Sequence, residues 1–198
     1  MTSPRTARTL ARASARSVLH ASADMSVAPL RAIPALLREL GVEPASLLER
    51  VGVDQVALAD DSSRVPFGLV GRLIEECAVA SSCAHFGLLL GIRSGPAAAG
   101  IAGHLFRHAD SVHAALRLFI AHLHLHDRGG VVALSPQGVE DVELSYVIHH
   151  PNTPGTAQIL DASIAIACSV MRSLCGAQWT PSAVLLSRDR PGMVAPYR

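Results

Sequence analysis

The period of the apolar residues constrains this chain more than any other feature. Across residues 30–125 they return every three or four positions, the spacing that lines one face of an α-helix. Only once does the period shorten to two. In residues 142–148, Val142, Leu144, Tyr146 and Ile148 alternate with Glu143 and Ser145, the pattern of a half-buried strand. A chain patterned this way builds helices around a small sheet.

Local signals divide the helical part. Leu30, Ile33, Leu36, Leu37 and Leu40 form one stripe that ends at Gly41, and Pro44 opens a short helix through Leu47, Leu48 and Val51 to Gly52. Asp54 caps a further turn, 55–58, and 60–63 is a loop. Pro66 marks the first turn of a helix whose stripe is Phe67, Val70, Leu73, Ile74 and Cys77. A helix follows over 85–92, Gly95-Pro96 breaks it, and 97–106 is helical again. Asp110 or Ser111 caps a helix running to Leu125, with Val112, Leu116, Phe119, Ile120 and Leu123 as its stripe.

Gly129-Gly130 then hands over to a strand at 131–134, a turn at 136–138 and the strand at 142–148. A long apolar helix covers 156–174, and Trp179-Thr180-Pro181 leads into a third strand at 183–187 that could join the hairpin. The expected fold class is therefore α+β: mostly helical, with a small antiparallel sheet made of a hairpin at about 131–148 plus a strand at about 183–187.

Charge narrows the function. All 17 basic residues are arginines, and the first 23 positions hold Arg5, Arg8, Arg12 and Arg16 with no acid. From Met25 onward 13 arginines face 15 carboxylates, so the body is mildly acidic and lacks the broad basic surface of a phosphate-backbone binder. Residues 1–24 read as a disordered or basic leader, with Met25 as the expected start of a single domain covering 25–198. Cys77, Cys83, Cys168 and Cys175 make no C-x-x-C pair and read as small buried hydrophobes in a reducing cytoplasm. No apolar run reaches ~18 residues without a polar interruption, so no membrane span is expected.

Histidine is the unusual residue. Eight of the ten fall in 104–150. His104/His108 and His122/His126 each stand four apart, close enough on a helix to share a face. Such pairs suit metal ligands, but no H-E-x-x-H is present and Asp127 is the only carboxylate at ligand spacing, so no metal site and no cofactor is assigned. Neutral imidazole offers one donor and one acceptor, which suits a pocket for a polar effector. The residues singled out as ligand contacts are His104, Phe119, His122, His126 and Tyr146, around a pocket between the helices and the inner face of the hairpin. No catalytic residue is assigned: G-x-S-x-G, the phosphate loop G-x-x-x-x-G-K-[ST] and a G-x-G-x-x-G after a strand are all missing. The glycines at 91, 95, 100 and 103 read as helix ends or close-packing positions.

Several segments, in their order and spacing, resemble one family: 36–48 (LLRELGVEPASLL), 64–74 (RVPFGLVGRLI), 86–93 (FGLLLGIR), 100–118 (GIAGHLFRHADSVHAALRL), Trp179-Thr180-Pro181 with Val184, and the closing Ala195-Pro196-Tyr197-Arg198. Together they resemble the N-terminal effector domain of AraC-type transcription activators, the arabinose-binding variety. The resemblance covers residues 26–198. It implies a cytoplasmic, homodimeric domain that binds a small effector (an amino acid, amine or lipid-like metabolite) and controls an attached DNA-binding domain. Two departures stand out. The leader has no counterpart, and the helix-turn-helix units expected after this domain do not occur in the 198 residues, so DNA would be reached only through a further C-terminal domain. The competing reading is a metal-binding or histidine-dependent enzyme domain.

Overall fold

A computed structural model describes residues 23–100, 109–139 and 141–197. The architecture is α+β, with mostly helical elements and two small antiparallel sheets of two strands each. Strand β1 (Asp24–Ser26) pairs with β2 (Arg64–Pro66), Met25 opposite Val65. Between them run α1 (Ile33–Glu39), α2 (Pro44–Val51) and α3 (Gln55–Ala59). The starts of α2 and α3 are chemically marked. Glu43 accepts the N–H of Ala45 at 3.3 Å and Asp54 that of Val56 at 2.9 Å, each supplying an acceptor for a donor the helix leaves unpaired.

Helix α4 (Phe67–Ala80) follows β2 directly and buries Phe67, Val70, Leu73, Ile74 and Cys77, the stripe read from spacing. Helix α5 (Phe86–Ser94) ends in a 3₁₀ turn, Gly95–Ala99. Helix α6 (Val112–His122) is capped by Ser111, whose hydroxyl accepts the N–H of Ala114 at 3.1 Å, and it runs on as a 3₁₀ turn, Leu123–Leu125. Strands β3 (Gly130–Gln137) and β4 (Asp141–Ile148) form the hairpin, with Val132 opposite Tyr146 and Leu134 opposite Leu144. Strand β3 runs through Pro136, beyond the expected 131–134. Proline is tolerated there because each strand of a two-stranded sheet has a free edge. Helix α7 (Thr156–Cys175) is the longest element described.

The main core joins both ends of the chain order. Leu30, Ile33, Leu37, Leu47, Phe67, Leu73, Phe86 and Leu90 pack with Val65 and Ile159, and Phe67 and Phe86 are completely enclosed. Burying a side chain of that size contributes about 1.5–3 kcal/mol. A second, smaller cluster of Ala99, Ala115 and Val170 carries Phe119, Ile166 and Leu174 on its flank. Helices α5 and α7 meet through glycine. A Cβ at Gly87 would overlap the backbone of Gln158, and one at Gly91 would overlap the Ala162 carbonyl and lie 2.7 Å from the Ala165 Cβ. Gln158 locks the contact by accepting the N–H of Gly87 at 2.7 Å and donating to the Ala84 carbonyl at 2.9 Å.

Two expectations need correction. Residues 183–187 form no strand, and the hairpin has two strands only. Val184 and Leu185 are exposed, and the side chain of Arg188, next in line, is drawn to α7 and away from the sheet. Cysteine burial is uneven: Cys77 and Cys83 are buried, Cys168 is half-buried, and Cys175 is exposed at the end of α7. Helix α7 is long and apolar enough to cross a membrane by length and composition alone, but here it packs on α5 with Asp161 buried. The expected helix at 97–106 falls largely outside the described residues. Most of the leader does too, but Ala23 and Asp24 belong to the body: the Ala23 carbonyl accepts the N–H of Phe67 at 2.9 Å.

Candidate functional site

Strand β1 has neighbours on both sides. One is β2; the other is the stretch just after α6, where Ser26 N–H donates to the His126 carbonyl at 2.7 Å and Arg128 N–H to the Asp24 carbonyl at 2.9 Å. This three-way junction fixes the backbone of residues 126–128 and turns Asp127 inward. Asp127 is 5% exposed, which demands partners for its carboxylate. They are present. Oδ1 accepts the N–H groups of Gly129 at 2.7 Å and Gly130 at 3.2 Å, an Asx-type turn, and Oδ2 accepts the Tyr146 hydroxyl at 2.7 Å.

The two glycines explain how the hairpin can start so close to the core. A Cβ at Gly129 would overlap the Phe67 ring and one at Gly130 the Tyr146 ring. Tyr146 is pushed far above the ordinary phenol range, first by burial and then by the Asp127 charge and its hydrogen bond, so it remains a protonated donor. Arg64 closes the junction. Its Nε donates to Asp24 Oδ1 at 2.8 Å and its Nη1 to the Leu125 carbonyl at 2.6 Å, while Arg128 lies 3.5 Å from the same carboxylate.

His126 lies against this node. Its Nδ1 is buried and has no hydrogen-bond partner among the described residues, and it faces the Ser26 and Gly100 side of the junction. Burial holds the imidazole below its ordinary pKa; Asp127 pulls the other way and Arg64 adds to the depression. The ring is therefore neutral at pH 7, with one free nitrogen able to donate or accept according to tautomer.

Of the five residues singled out by sequence, Tyr146 bonds to Asp127, and His126 precedes Asp127 in the chain with its Nδ1 on the Ser26 and Gly100 side. Of the other three, Phe119 and His122 are held elsewhere. Phe119 packs in the second apolar cluster. His122 turns back on its own helix, Nδ1 at 2.9 Å from the Leu118 carbonyl, and its ring stacks on His124 at 6.4 Å. His104 lies outside the described residues. Among the described residues no group of three or more His, Cys, Asp or Glu side chains is placed to hold a metal ion. The sequence reading passed over Arg64, Asp24 and the central role of Asp127. The signal available was Asp127 followed at two and three residues by glycine, an Asx-turn pattern read only as a helix stop. A shallow concavity of about 450 Å³ lies elsewhere, between α2 and α3, lined by Ala45, Leu48, Glu49, Gly52, Val53, Asp54 and Gln55.

Comparison with known families gives a match over most of the chain. The model of the arabinose-binding domain of AraC transcription regulators, N-terminal, matches residues 41–198. No curated protein matches the chain.

Proposed function

The chain belongs to the family of arabinose-binding N-terminal domains of AraC transcription regulators, and from that premise we propose that it senses a small effector at the His126–Asp127–Tyr146 node and so controls an attached DNA-binding domain. The observation that carries this reading is the neutral, buried His126 imidazole whose Nδ1 has no partner among the described residues. A buried polar atom without a partner costs stability, and such a group is retained where something else supplies the bond. The free nitrogen suits a hydroxyl, amide or amine of an uncharged or weakly polar metabolite. The adjoining Asp127 carboxylate is engaged by Gly129, Gly130 and Tyr146, so it orients the site and leaves the effector's polar group to His126.

The mechanism is a population shift. An effector seated on His126 favours one arrangement of β1, the turn at 126–130 and the hairpin over the alternatives. The response can be no larger than the difference in its affinity for those arrangements. The same reading places the protein in the cytoplasm as a homodimer. A thermal-shift screen with sugars, amino acids, amines and fatty acids tests it. A binder present at 100 times its dissociation constant stabilises by roughly 2.7 kcal/mol. That gain should disappear in His126→Phe. If no compound stabilises the wild type at millimolar concentration, or if His126→Phe retains the full gain, the reading is wrong.

A further inference from the structure

Residues 176–197 contain no regular structure apart from one 3₁₀ turn, Ala195–Tyr197, and much of the segment is exposed, Leu185 at 81% and Met193 at 58%. Beyond Trp179, whose carbonyl accepts from Arg172 Nε at 3.3 Å, the segment is nevertheless fastened at one place. Asp161 sits in the first half of α7 with its side chain fully buried. Arg188 Nη2 donates to both of its oxygens, at 2.9 and 2.8 Å. The Tyr197 hydroxyl donates to Oδ2 at 2.6 Å and accepts from the same Arg188 nitrogen at 2.7 Å, and the guanidinium lies 5.5 Å from the centre of the Tyr197 ring. Among the described residues, every hydrogen bond joining 180–197 to the rest of the fold passes through Arg188 and Tyr197.

The location of Asp161 gives this fastening a second property. It lies on the same turn of α7 as Gln158 and Ala162, the residues against which Gly87 and Gly91 of α5 are pressed without room for a side chain. A buried ion pair keeps its value only in a narrow range of geometry, because any separation leaves a charge in the interior without its partner. The fastening is also incompletely satisfied: Arg188 Nε is buried without a partner among the described residues, which lowers the cost of letting go. The phenol of Tyr197 stays protonated, and so stays a donor to Asp161; burial and the Asp161 carboxylate push it up to about 12.

We propose that Asp161, Arg188 and Tyr197 form a latch that ties the C-terminal segment to the α5–α7 contact, so that a small displacement of α7 against α5 releases residues 180–197. As the output step of an effector sensor it rests on the reading above; as an attachment it stands on this geometry alone. The release is a conformational change and forms or breaks no covalent bond.

Trypsin reads the latch directly, because the Arg188 side chain is 18% exposed and must leave Asp161 before the 188–189 bond can be cut. Cleavage there is followed by mass spectrometry on the whole chain, with far-UV circular dichroism tracking global folding. Asp161→Asn should raise the rate of 188–189 cleavage at least tenfold with helix content unchanged. Tyr197→Phe, which keeps the ion pair, should raise it several-fold and covers the case in which Asp161→Asn does not fold. Gly91→Ala, far from Arg188 in sequence, should raise it too, because it forces α5 and α7 apart. Wild-type cleavage rates in the two latch variants would overturn the attachment, and a wild-type rate in folded Gly91→Ala would overturn the coupling. None of these arms uses an effector, so a failed ligand screen and a failed latch remain separate results.

Discussion

Replacing Tyr146 with Phe removes a single oxygen atom and tests the central node. The hydroxyl donates to Asp127 Oδ2 at 2.7 Å, and Asp127 is 5% exposed, so water has little access to take its place. A hydrogen bond to a charged group contributes about 1.5–3 kcal/mol, and leaving its partner buried without a donor puts the loss toward the upper end. The ring remains and still covers Gly130, so little apolar contact is lost. In a domain of this size each kcal/mol moves the midpoint by roughly 2–4 °C, so a loss of about 2–3 kcal/mol gives a fall of roughly 4–12 °C. The assay is thermal and urea unfolding followed by circular dichroism, with the urea slope expected to stay constant. A cycle with Asp127→Asn isolates the pair: the effects of Tyr146→Phe and Asp127→Asn should fall short of adding in the double variant by at least about 1 kcal/mol. A midpoint shift under 1 °C, or strict additivity, would refute the reasoning.

Other consequences can be checked alongside. His126 is held below its ordinary value, chiefly by burial, so the unfolded chain takes up a proton that the folded chain refuses. Stability from this group is complete above about pH 6.5 and falls as pH drops toward the folded value, by at most about 1.4 kcal/mol per pH unit; His126→Gln should remove that part of the slope in urea melts at pH 5–8. Gly91→Ala should cost about 1–3 kcal/mol in chemical denaturation, the ordinary penalty of overpacking. Asp54→Ala removes the cap at α3 and should cost about 1 kcal/mol, with the node unaffected. The Cys77 thiol, pushed up to about 12 by burial and then by Glu76, should resist a thiol reagent at pH 8 until the protein unfolds, while exposed Cys175 reacts at once.

The elements legible in the sequence are those whose period runs long enough to be seen. The Phe67–Cys77 stripe and the Val142–Ile148 alternation each repeat over several residues, and both elements stand where they were read, but Val142 and Leu144, expected on the strand's buried face, are exposed. Strands β1 and β2 are three residues each, too short to show a period, and they exist because the stretch after α6 and Arg64 hold them. Ala183, Val184, Leu185 and Leu186 looked like a strand because they are apolar, but a run of that kind has no buried face to fix a register. The tail is placed by one ion pair to Asp161, whose signal was a lone carboxylate inside an otherwise apolar helix. The site was half legible for a similar reason. Helical spacing groups His122 with His126, yet the chain leaves the α-helix between them, and only His126 reaches the junction. No local pattern could place Tyr146 against Asp127, since 19 residues and a hairpin separate them.

The most direct measurement is a nitrogen-15 NMR titration of the backbone amides and histidine side chains with the compound that stabilises the protein most in the thermal screen. The account predicts that His126 Nδ1 shifts and saturates with that compound while the His122 and His124 rings stay put. A saturating ligand that leaves His126 unmoved and instead perturbs Leu48, Val53 and Gln55, at the concavity between α2 and α3, would contradict it.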